Sequence, residues 1–206
     1  SESLLENNWI HAPLPGTTQG DGIEIKVGSY SNIIRDNVIY NRPYPGIFVY
    51  GTLANRANVV EGNVIWNCLE GIYAVSDAVI RNNIILNSTL GLSLYPHAQV
   101  PVLKNITAVN NTLFGNATGV RVRWGGSNMV LANNAVYSPG GIAIDSGGGI
   151  GATAIVRVEY TGFVIVALCV RRVLRPTLAG RPVTPGFAVA LLAMLVSQDG
   201  IQTIIR

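Results

Sequence analysis

The sequence predicts an all-β fold, a parallel solenoid of six or more coils over residues 3 to about 145, and three observations predict it. One short pattern recurs six times between Ser3 and Asp145. Apolar residues inside each copy alternate with period two, and the composition is poor in charge but rich in glycine and asparagine. Repetition every 20 to 29 residues marks stacked coils, each too small to bury its own apolar face and each relying on its neighbours for a core.

The pattern is plainest where "RDNVIYN" at Arg35 returns as "EGNVIWN" at Glu61 and "RNNIILN" at Arg81. Its markers are Asn8, Asn37, Asn63, Asn83, Asn111 and Asn134. Three positions before them stand Leu5, Ile34, Val60, Ile80, Ala108 and Leu131; two positions after them stand Ile10, Ile39, Ile65, Ile85, Leu113 and Val136. An asparagine at a coil corner can turn the chain and pass amide hydrogen bonds to the asparagines above and below it, since it carries two donors and an acceptor with two lone pairs. Each copy then reaches a glycine, namely Gly22, Gly46, Gly71, Gly91, Gly119 or Gly141. A strand follows with apolar residues one and three places on, as in Ile47 and Val49 or Leu92 and Leu94. Period two with β-branched enrichment is a strand signal; a helix would need period 3.6.

Composition narrows the function classes. At 206 residues and 21.9 kDa, with 49% apolar and 12% charged residues, the chain fits one domain with a continuous core. Cys68 and Cys169 match no zinc or redox spacing and are expected to be buried or free thiols. The net charge of +3 comes from the tail, where arginines are scattered among Val, Leu and Pro, so no basic stripe supports nucleic-acid binding. "GFVIVALCV" and "FAVALLAMLV" reach about half of the roughly 20 residues a membrane span needs, and no signal peptide opens the chain.

The "NxIxN…GIxV" cadence over residues 3 to 145 resembles the right-handed parallel β-helix repeats of the pectate lyase superfamily. That resemblance implies a right-handed β-helix over residues 1–150, a polysaccharide or glycan partner and a secreted or cell-surface location. It does not choose among lyases, hydrolases, epimerases and inactive members. The carbohydrate readings are a lyase or epimerase acting on acidic polysaccharide, or a non-catalytic glycan-binding or surface solenoid, including a truncated inactive fragment.

Residues 151–206 read differently. All nineteen asparagines precede residue 135. "TAIVRVEY" is expected to add one strand, after which the tail is either an irregular or partly helical cap or the product of a reading-frame change, the latter being favoured by its Arg, Pro, Ala, Leu and Val enrichment. Uncapped coil ends are also expected to let the chain associate end to end.

Outward-facing positions of the glycine-led strands define two columns expected to lie exposed on one face. The first is Glu24, Phe48, Tyr73, Ser93, Arg121 and Ala143; the second is Lys26, Tyr50, Val75, Tyr95, Arg123 and Asp145. Aromatic and charged groups together suit sugars, so Phe48, Tyr50, Tyr73, Tyr95, Arg121 and Arg123 are the candidate substrate-binding residues. "GIEIKVGSYSNIIRDN" is similar to the alginate lyase and chondroitinase B group. This implies Glu24 as an acidic ligand or orienting group and Lys26 as the base that removes a proton beside a uronate carboxylate. Such a proton is acidic enough only if calcium or a second cation neutralises that carboxylate. The sequence departs from the group at Tyr50, where an arginine would stand, and shows no carboxylate cluster beside Glu24; no cofactor and no metal ligands are expected. His11 and His97 are isolated and read as solvated turn residues.

Overall fold

The computed structural model describes residues 1–146 except 15, 18–19, 52–55 and 125, and beyond them three short strands. Each coil contributes three strands. The first coil holds β1 (Leu4–Glu6), β2 (Trp9–His11) and β3 (Ile23–Ile25), and the second β4 (Ile33–Arg35), β5 (Val38–Tyr40) and β6 (Pro45–Val49). The third holds β7 (Asn58–Glu61), β8 (Val64–Trp66) and β9 (Glu70–Ala74), and the fourth β10 (Ser76–Arg81), β11 (Ile84–Leu86) and β12 (Leu90–Leu94). β13 (Leu103–Val109), β14 (Thr112–Phe114) and β15 (Thr118–Val122) form the fifth; β16 (Gly126–Ala132), β17 (Ala135–Tyr137) and β18 (Ile142–Asp145) form the sixth. β19 (Val156–Val158) follows, then β20 (Thr177–Leu178) and β21 (Arg181–Pro182).

Three parallel sheets result. The first stacks β1, β4, β7, β10, β13, β16 and β19, the second takes the middle strand of each coil, and the third takes the last. Strand order in every sheet equals coil order, so each coil climbs one rung of about 4.8 Å. β19 pairs with β16 and supplies the extra strand expected in "TAIVRVEY". The expectations of a helical cap, of a frame-changed end and of the state of Cys169 lie outside the described residues. Among the described residues no segment is helical.

The apolar positions of the repeat fall into vertical columns. Ile39, Ile65, Ile85 and Leu113 are successive partners in the second sheet, and Ile47, Ile72, Leu92 and Val120 in the third. All eight are buried in one continuous core. Dry aliphatic stacking of this kind is the main stabilising term of the rod.

The corner divides its work between two adjacent residues. The chain turns at the residue before each marker, where Asn7, Asp36, Gly62, Asn82, Asn110 and Asn133 take φ between 53° and 65°, a left-handed conformation that Asn, Asp and Gly tolerate best. The marker itself stacks. Asn37 Nδ2 donates to Asn63 Oδ1 at 2.9 Å, Asn63 to Asn83 at 2.9 Å and Asn83 to Asn111 at 2.9 Å, with each marker's main-chain N–H donating to the same oxygen. Buried polar side chains are tolerable here because the row satisfies them.

The glycines serve close packing. A Cβ on Gly46 would lie 2.7 Å from Ile65 Cγ2 and 2.8 Å from the Gly71 carbonyl oxygen, and the same kind of clash recurs up the column. In the sixth coil the register departs from the repeat: Val120 pairs with Ile144 and Arg121 with Asp145, so Ile142 sits two places earlier than expected. Ile142 and Ile144, expected in the interior, are 52% and 38% exposed.

Candidate functional site

The outer face of the third sheet carries both residue columns. Glu24, Phe48, Tyr73, Ser93 and Arg121 are consecutive rung partners, as the repeat implies. The column then ends on Asp145, in the place expected for Ala143.

The face is not open along its length, which corrects the expectation of two exposed columns. Phe48, Tyr50 and Tyr73 are 6%, 7% and 4% exposed, and Val75 and Ser93 are fully buried. The segment 95–102, between β12 and β13, folds back over them. It is closed by main-chain bonds His97 N–H to Val100 O (3.0 Å) and Val100 N–H to His97 O (2.9 Å), and Tyr73 donates its hydroxyl to Pro96 O at 3.2 Å. His97 is no solvated turn residue. Its ring meets Phe48 and Tyr50 edge-on at 5.6 and 4.8 Å. The rings of Tyr50, Phe48, Tyr73 and Tyr95 stack at 4.0, 4.2 and 4.3 Å. A ring stacked on both faces has only its edge left for a ligand, whereas a sugar packs on a face. His11 likewise stacks on Tyr40, on the second sheet.

At the first-coil end of this face, Lys26 Nζ donates to Glu24 Oε1 at 2.6 Å and lies 5.4 Å over the Tyr50 ring. The bond to Glu24 raises the Lys26 pKa above its ordinary value. A lysine base needs the opposite shift, because only the neutral amine accepts a proton. The carboxylate cluster missed in the sequence is present in part. Burial, then the charge of Glu24, pushes Asp21 up to about 6, with Glu70 adding to the rise and Lys26 and Arg42 opposing it. Glu70 is buried and accepts the Tyr95 hydroxyl at 2.6 Å. Arg42 is held by the carbonyls of Gly20 (2.6 Å), His11 (3.0 Å) and Asp21 (3.1 Å), fixing the turn that carries Asp21. A signal for the pair existed: Asp21 and Glu70 each immediately precede a column glycine. Among the described residues no group of three His, Cys, Asp or Glu is placed to hold a metal ion.

At the other end, four rungs on, Arg121 Nε donates to Asp145 Oδ2 at 3.2 Å and Arg123 donates to the same oxygen at 2.6 Å. Two guanidinium groups are thereby gathered on one carboxylate. Beside them stands Trp124, 64% exposed and at φ 54°, its ring at 88° to that of Tyr95 and 6.1 Å away. Trp124 was not singled out in the sequence, although it directly follows Arg123.

Residues 1–136 match the family model described as a right handed beta helix region. The chain belongs to this right-handed β-helix family. Its fold is consistent with the pectate lyase-like superfamily and supports a carbohydrate-associated family. No curated protein and no solved structure matches the chain. In this β-helix Cys68 is a buried free thiol, its pKa pushed up to about 11 by burial.

Proposed function

We propose that this β-helix is a glycan-binding solenoid that takes an acidic polysaccharide along the outer face of its third sheet, without cleaving it. One observation carries the reading: Arg121 and Arg123 stand together on this face, and Arg121 engages Asp145 through Nε alone, its terminal nitrogens having no bond to the described residues. A uronate or sulfate group answers the Arg121 fork through charge-assisted hydrogen bonds. At the opposite end Asp21 and Glu24 outnumber Lys26, so the anionic groups of the ligand belong at the arginine end. Lys26, bonded to Glu24 and held protonated, acts there as a donor and not as the base of a lyase.

Affinity electrophoresis in gels containing pectate, alginate or a neutral glucan tests this. Retardation by the acidic polymers alone, weakening with salt, is the expected result. A protein that runs identically in all three gels sinks the proposal.

The lyase or hydrolase reading keeps one observation of its own: the Asp21 carboxyl, at about 6, titrates where acid–base catalysis works. Incubation with the same polymers decides between the two. Growth of unsaturated-product absorbance, or of reducing ends, abolished by Asp21→Asn, would replace the binding-only reading.

A further inference from the structure

Among the described residues, Trp124 with Arg121 and Arg123 forms a group of side chains that is exposed, backbone-strained and charged at once. Trp124 is a bulky residue in the left-handed region at φ 54°, where the Cβ of an L-residue crowds the backbone and glycine or asparagine is the ordinary occupant. It is also 64% exposed, so burial of its ring does not offset the strain. Strain of this kind persists where the surrounding structure holds it, and it concentrates at ligand sites. The main chain on either side is held, since Arg123 N–H donates to Leu94 O at 3.0 Å and β16 begins at Gly126.

Orientation separates this ring from the other aromatic residues of the face. Tyr50, Phe48, Tyr73 and Tyr95 stack upon one another, whereas Trp124 stands at 88° to Tyr95, so it does not continue the stack. Its indole keeps apolar surface that a pyranose ring can cover. Arg121, two residues earlier, engages Asp145 through Nε at 3.2 Å, and its terminal nitrogens have no bond to the described residues. Terminal guanidinium nitrogens form the fork that takes a carboxylate bidentately. Asp145 is largely covered and keeps Arg121 and Arg123 together, 13% of its side chain being exposed against 30% and 29% for theirs.

We infer that Trp124 and Arg121 form a subsite for one uronate residue, the indole packing against the sugar ring and the guanidinium holding the carboxylate. The inference rests on the acidic-glycan reading above and deepens it to a residue pair. Arg123 and Asp145 are positioning residues: Arg123 neutralises Asp145, which in turn fixes Arg121 through Nε.

Calorimetric titration of a uronate hexasaccharide, with its carboxyl-reduced neutral counterpart as control, tests the pair. The key variant is Trp124→Gly, because glycine adopts φ 54° without strain; it removes the ring while leaving the fold at least as heat-stable as wild type. Expected results are a loss of ten-fold or more in uronate affinity for Trp124→Gly, partial retention for Trp124→Phe, and for Arg121→Gln a loss confined to the uronate. Wild type that binds the uronate while Trp124→Gly and Arg121→Gln bind it equally well overturns the subsite and leaves the acidic-glycan reading standing. Wild type that ignores the uronate overturns both.

Discussion

Replacing Asn63 by alanine tests the asparagine row where it is deepest. Asn63 is fully buried, and its Nδ2 donates to Ile34 O at 3.0 Å and Asn83 Oδ1 at 2.9 Å while its Oδ1 accepts the Asn37 N–H at 3.0 Å and the Asn37 amide at 2.9 Å. Truncation strands the Asn37 N–H, whose one side-chain acceptor disappears, and weakens the bonding of Ile34 O and of the Asn37 amide. A buried group left unbonded costs about 1–3 kcal/mol. One full orphan and two partial losses therefore predict roughly 2–5 kcal/mol. Asn8→Ala at the first rung is the control: Asn8 is exposed and donates to Asn37 Oδ1, but no described residue below it loses an acceptor, so about 1 kcal/mol or less is expected. Urea unfolding followed by circular dichroism reads both, and amide exchange at Asn37 reads the stranded group directly. Asn63→Asp, which keeps the acceptor but loses the donor, should be at least as harmful at neutral pH and partly recover in acid. Equal destabilisation by Asn63→Ala and Asn8→Ala would refute the claim that the row is a cooperative internal support.

Gly46→Ala, whose Cβ would lie 2.7 Å from Ile65 Cγ2, should cost about 1–3 kcal/mol in thermal unfolding, as overpacking does. Gly28→Ala has open space around it but φ +81°, so its cost is the backbone strain alone, about 1–2 kcal/mol. Asp21 has a folded pKa of about 6, above the ordinary 3.8, so its contribution to stability is full below pH 4 and is lost as pH rises through 6. Asp21→Asn should flatten the unfolding midpoint across that window, and an unchanged slope would show that the carboxyl is solvated. We also propose that the isolated polypeptide associates through its first coil, where Trp9 is 71% exposed and Leu4 half exposed. Light scattering should show mass rising with concentration, and Trp9→Lys should suppress it; a monomer throughout would exclude the contact.

Much of the rod was legible because its signals are local and repeated. Ile39, Ile65 and Ile85 share a column because each follows a marker asparagine by two residues, and a rung pairing cannot shift by one without reversing every side chain. The sixth coil escaped this logic. Its Ile142 pairs with Thr118, two places off the glycine-based alignment, after a turn that takes φ +75° at Gly140. The buried state of Phe48 and Tyr73 was illegible for another reason. Their cover, residues 95–102, is an excursion between strands, and nothing in a repeat says over which face an excursion folds. Asp21 and Glu70 come from coils two rungs apart, and their mutual influence appears only once the coils are stacked.

The corner row also has a direction. From Asn8 to Asn111 each marker's amide donates to the side-chain oxygen of the marker in the following coil, although the sequence between successive markers is 29, 26, 20, 28 and then 23 residues long. Coil length is therefore uncoupled from rise: the excursions lengthen or shorten outward, while the main-chain ladder sets each step at about 4.8 Å. The rod is graduated like a ruler. A linear polymer lying along it meets side chains at fixed multiples of that step, and insertions in the excursions can change what stands at a graduation without moving the graduation itself.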